Sequence, residues 1–448
     1  MSSETAVPDQ RHRRAVRRAR RGWYAYDWAN SVFTTTVTTV FFGPYLTDVA
    51  RDAAGPDGLL RPFGIAVRPE SYYPYLVAVS VVLQVAVLPT VAGLAARVNR
   101  GALLGVLSSS GALTTAGMFA IGDTGWALGG VLFVTATIAL GASVTVADGY
   151  LPLLAPPGRR DRVSTQASAA GYLGGGLMLA VGLVVYAGHE RLGLSEALAV
   201  RLNLLIAGLW WLVFGLLAVR LLRGYGAPVP YAPGTGPLRG TLAAVRGLRA
   251  HPAALWFLVA FLLYNNGVQS MTSLVGTYAV EQLQIEEDQL VVAVLMLQFV
   301  AVAGAIAAGR LAERHGGRPV LLAYVLLFVL AGIAGGLLPP GRFLLFLLVG
   351  AWVGLVLGGL YALSRSVFAA LVPAEVVGEA FAVFEIVNRC LGFAGPAAFG
   401  LVLQWTGSYR AAGTTILLFL LAGGVVLVLG QSAAQRSGRD LAGAVAGE

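Results

Sequence analysis

Residues 22–42, GWYAYDWANSVFTTTVTTVFF, follow directly on a block of arginines and carry an aspartate, an asparagine and a run of threonines through an otherwise apolar stretch. Positions 27, 30, 31, 34 and 38 recur at helical spacing, so Asp27, Asn30, Ser31, Thr34 and Thr38 share roughly one face of a helix. That face is a poor match for lipid, since an ion at the centre of a membrane helix costs at least about 2.5 to 3.5 kcal/mol. It therefore belongs against a bundle interior or a wet cavity. A plainer account also fits: Trp23, Tyr24, Tyr26 and Trp28 read as an interfacial belt, with Asp27 near the headgroups and the threonines bonded back to their own helix.

The rest of the chain agrees with a membrane setting. Of 448 residues, 57% are hydrophobic and 12% charged, against roughly 25% charged in a soluble domain. Runs of about 20 apolar residues, the length that spans hydrocarbon, recur between short polar or Gly/Pro-rich turns. They predict helices at 24–46, 72–96, 101–121, 125–147, 166–188, 200–222, 253–280, 289–311, 319–338, 342–363, 377–404 and 409–431. The fold class is thus an all-α integral membrane protein with twelve transmembrane helices. With that count the arginine clusters fall on one side: residues 11–21, Arg97, Arg100, Arg159, Arg160, Arg162, Arg223, Arg239, Arg246, Arg249, Arg314, Arg318, Arg436 and Arg439. Cytoplasmic loops retain positive charge, so both termini are expected in the cytoplasm. The net charge of +9 is read as a topology determinant touching anionic lipid, not as a nucleic-acid surface.

Several chemistries are excluded. All 31 basic residues are arginine, which removes the lysine of a P-loop and any Schiff-base lysine. Cys390 is the single cysteine and the four histidines fall in tails, loops or helix edges, so neither a disulfide framework nor a thiolate metal cluster is expected. No cofactor or metal is expected, an enzyme is not, and helix one lacks the features of a cleaved signal peptide.

Internal repetition supplies the architecture. LAAR at 94–97 resembles LAER at 311–314, LLAP at 153–156 resembles ALVP at 370–373, and Gly175 corresponds to Gly392, each at an offset of 217. YDWANS from Tyr26 and YNNGVQS from Tyr264 match at an offset of 238, the difference reflecting a long loop at 47–71. Two parallel six-helix repeats are the plan of the major facilitator transporters, in which substrate binds between the halves near the midplane. The predicted units are a basic cytoplasmic tail 1–22, a six-helix half 23–222, a linker 223–252, a second half 253–431 and a tail 432–448.

Within this plan the candidate residues fall into three sets. Helix seven repeats Asn265, Gln269 and Thr272 or Ser273 at helical spacing, neutral hydrogen-bonding groups facing those of helix one, with Asn266 as a further candidate beside them and helix packing as the alternative. Glu385 and Arg389 on helix eleven are four apart and close enough to pair, either as a fixed bridge or as a substrate or proton switch. Asp148 and Arg365 end helices four and ten at matching repeat positions and form a candidate contact between the halves. Glycines fill helices five and eleven, and Pro396 predicts a bend.

YDWANSVF, YLPLLAPPGRRDRVSTQASAAGYLGG, FLLYNNGVQS, GRLAERHGGRPVLL, GGLYALSRSVFAALVP and VFEIVNRCLGFAGP together resemble the vacuole-effluxer-like branch of the major facilitator superfamily. The chain departs from the branch at Asn266, where an aspartate is usual, at Tyr361, where a glutamine is usual, and at Ala96, where the first cytoplasmic loop usually has an acid. The resemblance implies a secondary transporter in a prokaryotic-type cytoplasmic membrane, exporting a small polar metabolite such as an amino acid. It also implies a hinge-and-latch loop of Arg310, Glu313, Arg314 and Arg318. A proton is the candidate coupling ion, a monomer the expected state, and the partners are solute and lipid. Two rivals stay open: xenobiotic efflux, favoured by a cavity lined with aromatics such as Trp210, Trp211 and Tyr361, and a membrane sensor that transports nothing.

Overall fold

The computed structural model describes residues 10–95, 98–154, 160–225, 251–372, 384, 387–388 and 392–445. Regular structure among them is helical apart from an isolated antiparallel bridge, Leu60 to Val67. The opening stretch lies in a continuous rod: α1 (Gln10–Val32), a π-helical segment (Phe33–Phe41) and α2 (Phe42–Asp52). Pro44 cannot donate to the carbonyl of Val40, and the wider winding sits just before it, with the Phe42 N–H reaching back to Val37. The helix thus extends beyond the predicted 24–46 at both ends. At its start, Arg18 donates to the carbonyl of Arg223 at 2.7 Å and Arg20 to that of Leu154 at 2.8 Å, which ties the basic segment to the ends of other helices.

There follow α3 (Pro69–Ala95), α4 (Arg100–Gly117), α5 (Trp126–Asp148), the short α6 (Leu151–Leu154), α7 (Arg160–Ala187) and α8 (Glu196–Leu222). The second half comprises α9 (Pro252–Glu281), α10 (Glu287–His315), α11 (Gly317–Leu337), α12 (Phe343–Ala369), α13 (Ala394–Thr406) and α14 (Tyr409–Val445). Nine helices among the described residues are long and apolar enough to cross a membrane. The repeat reappears in three dimensions: α3 and α10 start 218 apart (287 − 69), α4 and α11 217 apart (317 − 100), α5 and α12 217 apart (343 − 126). Much of the predicted helix 377–404 and most of the linker lie outside the described residues. In the described part, 392–393 form a turn and α13 begins at Ala394, so Pro396 occupies the first turn, where its missing N–H costs no helical bond.

Helices α1 to α8 pack together, as do α9 to α14, and the two sets meet through α3 with α13, α7 with α10, and the π segment and α2 with α9. Much of this meeting is at the end of the bundle that carries the loop 53–68. There a core cluster joins Phe42, Tyr73 and Phe133 to Leu283, Ile285 and Tyr409 across the halves. At the opposite end, Trp23, Tyr26, Leu104, Val146, Tyr150 and Leu222 form a separate cluster drawn from the first half alone.

Close helix approach depends on glycine. A Cβ on Gly304 would overlap the carbonyl of Leu355, and one on Gly358 the carbonyl of Ala301, so α10 and α12 touch backbone to backbone. Gly358→Val forces that crossing apart at an overpacking cost of about 1 to 3 kcal/mol. Its expected outcome is a lower temperature of half-loss of the monodisperse peak in detergent. Gly309→Val, at a position where an added Cβ would meet no atom within 4 Å, is expected to remain near the parent.

Candidate functional site

Each half fixes its first helix to its fourth through a buried tyrosine. The Tyr26 hydroxyl donates to Ser143 Oγ at 2.7 Å, and Ser143 donates in turn to the carbonyl of Leu140 at 3.0 Å. The Tyr264 and Ser364 hydroxyls meet at 2.8 Å, and Ser364 donates to the carbonyl of Leu360 at 2.6 Å. With the serine proton committed to its backbone, tyrosine is the donor in both halves. All four residues are buried, so these contacts satisfy groups that would otherwise be costly in a dry interior. The residues that follow the tyrosines, Asp27 and Asn265, are thereby set in equivalent places.

On α1, Asp27 and Asn30 are half-buried, and Thr34 in the π-helical segment is exposed. Ser31 donates to the carbonyl of Asp27 at 2.7 Å and Thr35 to that of Ser31 at 3.0 Å, both packed against α7, where Gly171 and Gly175 make room. Thr39 reaches five residues back to Thr34, as the π winding requires. The polar face is therefore divided: Ser31 is spent on its own helix and the Asn30 amide nitrogen is buried, while Asp27 and Thr34 are left at least partly accessible. Trp28 stacks on Trp210 at 5.7 Å between ring centres and Trp211 is fully buried, so these rings serve packing of α1 and α4 against α8.

In the second half, Asn265 Nδ2 donates to Asn388 Oδ1 at 3.1 Å and Asn388 Nδ2 donates to the Tyr361 hydroxyl at 3.2 Å. This chain joins α9, α12 and the segment before α13, and Tyr361 is 38% exposed. Gln269, one turn beyond Asn265, is exposed. Asn266 departs from the expectation of solute contact: it is buried, and its Oδ1 accepts the Gly395 N–H at 3.1 Å, holding the start of α13. Glu385 and Arg389 lie outside the described residues.

Asp148 is exposed at the end of α5 and Arg365 half-buried near the end of α12, each engaged by neighbouring groups. Around the loop 53–68 a group of ion pairs centres on Arg51, and Arg61 pairs with Asp57. Arg310, Glu313 and Arg314 are exposed on the last turns of α10, and Arg318 on the first turn of α11, with Gly316 alone between the helices. Sequence patterning does not single out Asn388, Ser143 or Ser364. Asn388 stands three residues after Glu385, a spacing that places both on one side of a helix. Among the described residues no group of three or more His, Cys, Asp or Glu could hold a metal.

The vacuole effluxer Atg22-like family model matches residues 15–440. The chain belongs to this family. It is 25% identical over 411 residues to the uncharacterized MFS-type transporter YxiO of Bacillus subtilis (strain 168), covering 90% of this chain and 93% of that protein. It is also 25% identical over 462 residues to autophagy-related protein 22 of Yarrowia lipolytica (strain CLIB 122 / E 150), covering 82% and 76% respectively. Among solved structures it resembles a D-xylose-proton symporter, with a TM-score of 0.66, 13% identity and coverage of 93% and 96%. A D323A mutant of the nucleoside transporter NupG gives a TM-score of 0.65 at 13% identity, covering 92% and 99%. These structures establish the fold. The Atg22-like protein is thus a multi-pass membrane transporter of the major facilitator type and not an enzyme.

Removing either tyrosine hydroxyl tests the paired anchors. Tyr26→Phe and Tyr264→Phe each lose one buried hydrogen bond, about 1 kcal/mol, while Ser143 and Ser364 keep their backbone acceptors. Both variants are expected to show a modest, similar fall in thermal stability in detergent, and the double variant the sum of the two.

Proposed function

We propose that this protein is a secondary transporter that moves a small polar metabolite, an amino acid by class, through alternating exposure of a site between its two halves. The observation that carries this reading is the equivalent placement, one in each half, of a half-buried carboxyl group, Asp27, set by the Tyr26 anchor, and the neutral chain Asn265–Asn388–Tyr361, set by the Tyr264 anchor. A carboxylate suits an ammonium group, and amides with a phenol suit the neutral and anionic parts of the same solute. Asp27, with Glu385 of the second half, is also the candidate carrier of a coupling proton. The membership in the Atg22-like family supports export, and the arginine distribution supports twelve crossings with both termini and the Arg310–Arg318 loop in the cytoplasm. The working unit is a monomer in the cytoplasmic membrane, without a cofactor.

Efflux of an amphipathic xenobiotic is the second reading. It fits less well, because Trp211 is fully buried and Trp210 is stacked on Trp28, which leaves Tyr361 as the exposed ring of that set.

Reconstituted protein screened by counterflow against amino acids, with an imposed pH gradient as second variable, separates the readings. Saturable exchange of one amino-acid group supports the proposal; silence across the amino acids from folded protein overturns it. With the transported solute in hand, Asn388→Ala is expected to lower kcat/KM about tenfold, the scale of two lost neutral hydrogen bonds. Asp27→Asn is expected to abolish pH-driven transport and, by removing the proposed ammonium partner, to weaken exchange, and an unchanged pH dependence would exclude it as the proton carrier.

A further inference from the structure

At the end of the bundle near the loop 53–68, Arg51 on the last turn of α2 gathers three carboxylates. Its Nη1 lies 3.0 Å from Glu281 Oε1, and Nη2 pairs with Glu281 Oε2, a two-pronged contact across the halves. Its Nε lies 3.1 Å from Glu70 and its Nη1 3.1 Å from Asp48, both in its own half. The Glu281 side chain is 10% exposed and that of Arg51 38%, so this pair is less screened than an ordinary surface bridge. Although partial burial opposes its charge, Glu281 and Glu70 raise the Arg51 guanidinium above its ordinary value. Partial burial, and then the charge of Glu281, push the Asp48 carboxyl up. Without the arginine, carboxylates of opposite halves would face one another.

The loop itself adds a second hold. Leu60 and Val67 bridge it with backbone bonds of 2.8 and 2.9 Å, and their side chains are buried in the core. Beyond the bridge, the Arg68 N–H donates to Gln404 Oε1 at 2.7 Å and Gln404 Nε2 donates to the carbonyl of Ala66 at 3.3 Å. One side-chain amide from α13 thus takes up a donor and an acceptor of the loop's backbone. Gly407, in the left-handed region at φ 66, ends α13, and a Cβ there would stand 2.6 Å from the Arg68 guanidinium. A cation at a helix C-terminus is favourable. Tyr73 completes the set, its hydroxyl 2.8 Å from the carbonyl of Thr38 and 3.4 Å from that of Ser273 in the other half.

We propose that Arg51 and the loop 53–68 form a latch that holds the halves shut at this end, and that its release is a required step of the transport cycle. Arg51 exchanges a shared arrangement for one confined to its own half: on opening it keeps Asp48 and Glu70 and gives up Glu281, while Gln404 gives up the loop. No charge is left unpaired and dry, since Glu281 is released to water. The existence of the latch is independent of what is transported, and the requirement for its release rests on the transporter reading.

The test is a distance measurement on the full chain without solute. Nitroxide labels at Asp52→Cys and Glu286→Cys, exposed positions of the first and second half at this end, are placed in a Cys390→Ser background. The parent is expected to give mainly the short, latched distance. Arg51→Gln, Glu281→Gln and Gln404→Ala are each expected to raise the ratio of long to short distances, about tenfold for the charge variants, as for loss of a charged hydrogen bond. The exchange Arg51→Glu with Glu281→Arg is expected to return the short distance. Parent-like distances in both charge variants, each eluting as a single folded peak, would overturn the latch, as would an exchanged pair as open as the single variants. If Arg51→Gln does not fold, the near-isosteric Glu281→Gln decides. Because no solute is involved, a failed amino-acid screen leaves this result standing, and unchanged distances leave amino-acid transport standing.

Discussion

The structure depends on a rule of membrane solvation: a polar group taken out of water needs a partner within the protein. The Tyr26–Ser143 and Tyr264–Ser364 contacts meet that rule twice, at equivalent points of a duplicated fold. In each case the hydroxyl chain ends on a helical carbonyl, which leaves no ambiguity in proton direction and no spare donor. The first helix of each half is thereby locked to the fourth. Asp27 and Asn265 follow those tyrosines in sequence, so the anchors set where both begin, and Asn265 adds its own bond to Asn388. The two helices richest in polar side chains are consequently held inside the assembly, where their remaining polar groups have somewhere to point.

Close packing supplies what hydrophobicity cannot. Helices in lipid gain little from hiding apolar surface, since the tails are equally apolar, so association relies on backbone approach and hydrogen bonds. The bare backbones of Gly304 and Gly358 meet those of the opposing helix in the second half. In the first half, Gly171 and Gly175 admit Ser31 of α1 and Thr35 of the π-helical segment close to α7. The hydroxyls at that contact turn back to their own carbonyls, so the helices approach closely without exporting a polar demand to each other.

Much of this was legible in the sequence because hydropathy and repetition are long-range signals. The offset of 217 read from three short matches reappears in the starts of α4 with α11 and α5 with α12. The polar face of helix one was also legible, but not its division. Which of Asp27, Ser31 and Thr34 spends itself locally depends on the π winding and on which neighbour carries glycine, and periodicity on one helix contains neither. The same limit applies to Asn266, whose bond to Gly395 crosses 129 residues, and to Asn388, which acquires significance only through Asn265 and Tyr361. Pro396 read as a bend because the apolar run is unbroken there, whereas the turn at 392–393 makes it the opening of a helix.

The two ends of the bundle differ in kind, and that difference gives the fold its direction. Near the loop 53–68 the core is continuous between halves and is overlaid with ionic and amide contacts that cross the same boundary. At the other end the first half closes its core on itself, and Arg18 and Arg20 spend their guanidinium groups on carbonyls of that same half. Apolar contacts alone would hold the closed end with little geometric preference. Directed bonds such as the bidentate Arg51–Glu281 pair weaken steeply with misalignment, so they favour one closed geometry. The alternation proposed for this protein calls for an end that behaves in this way, because a graded contact would leave the proposed site open to both sides at once.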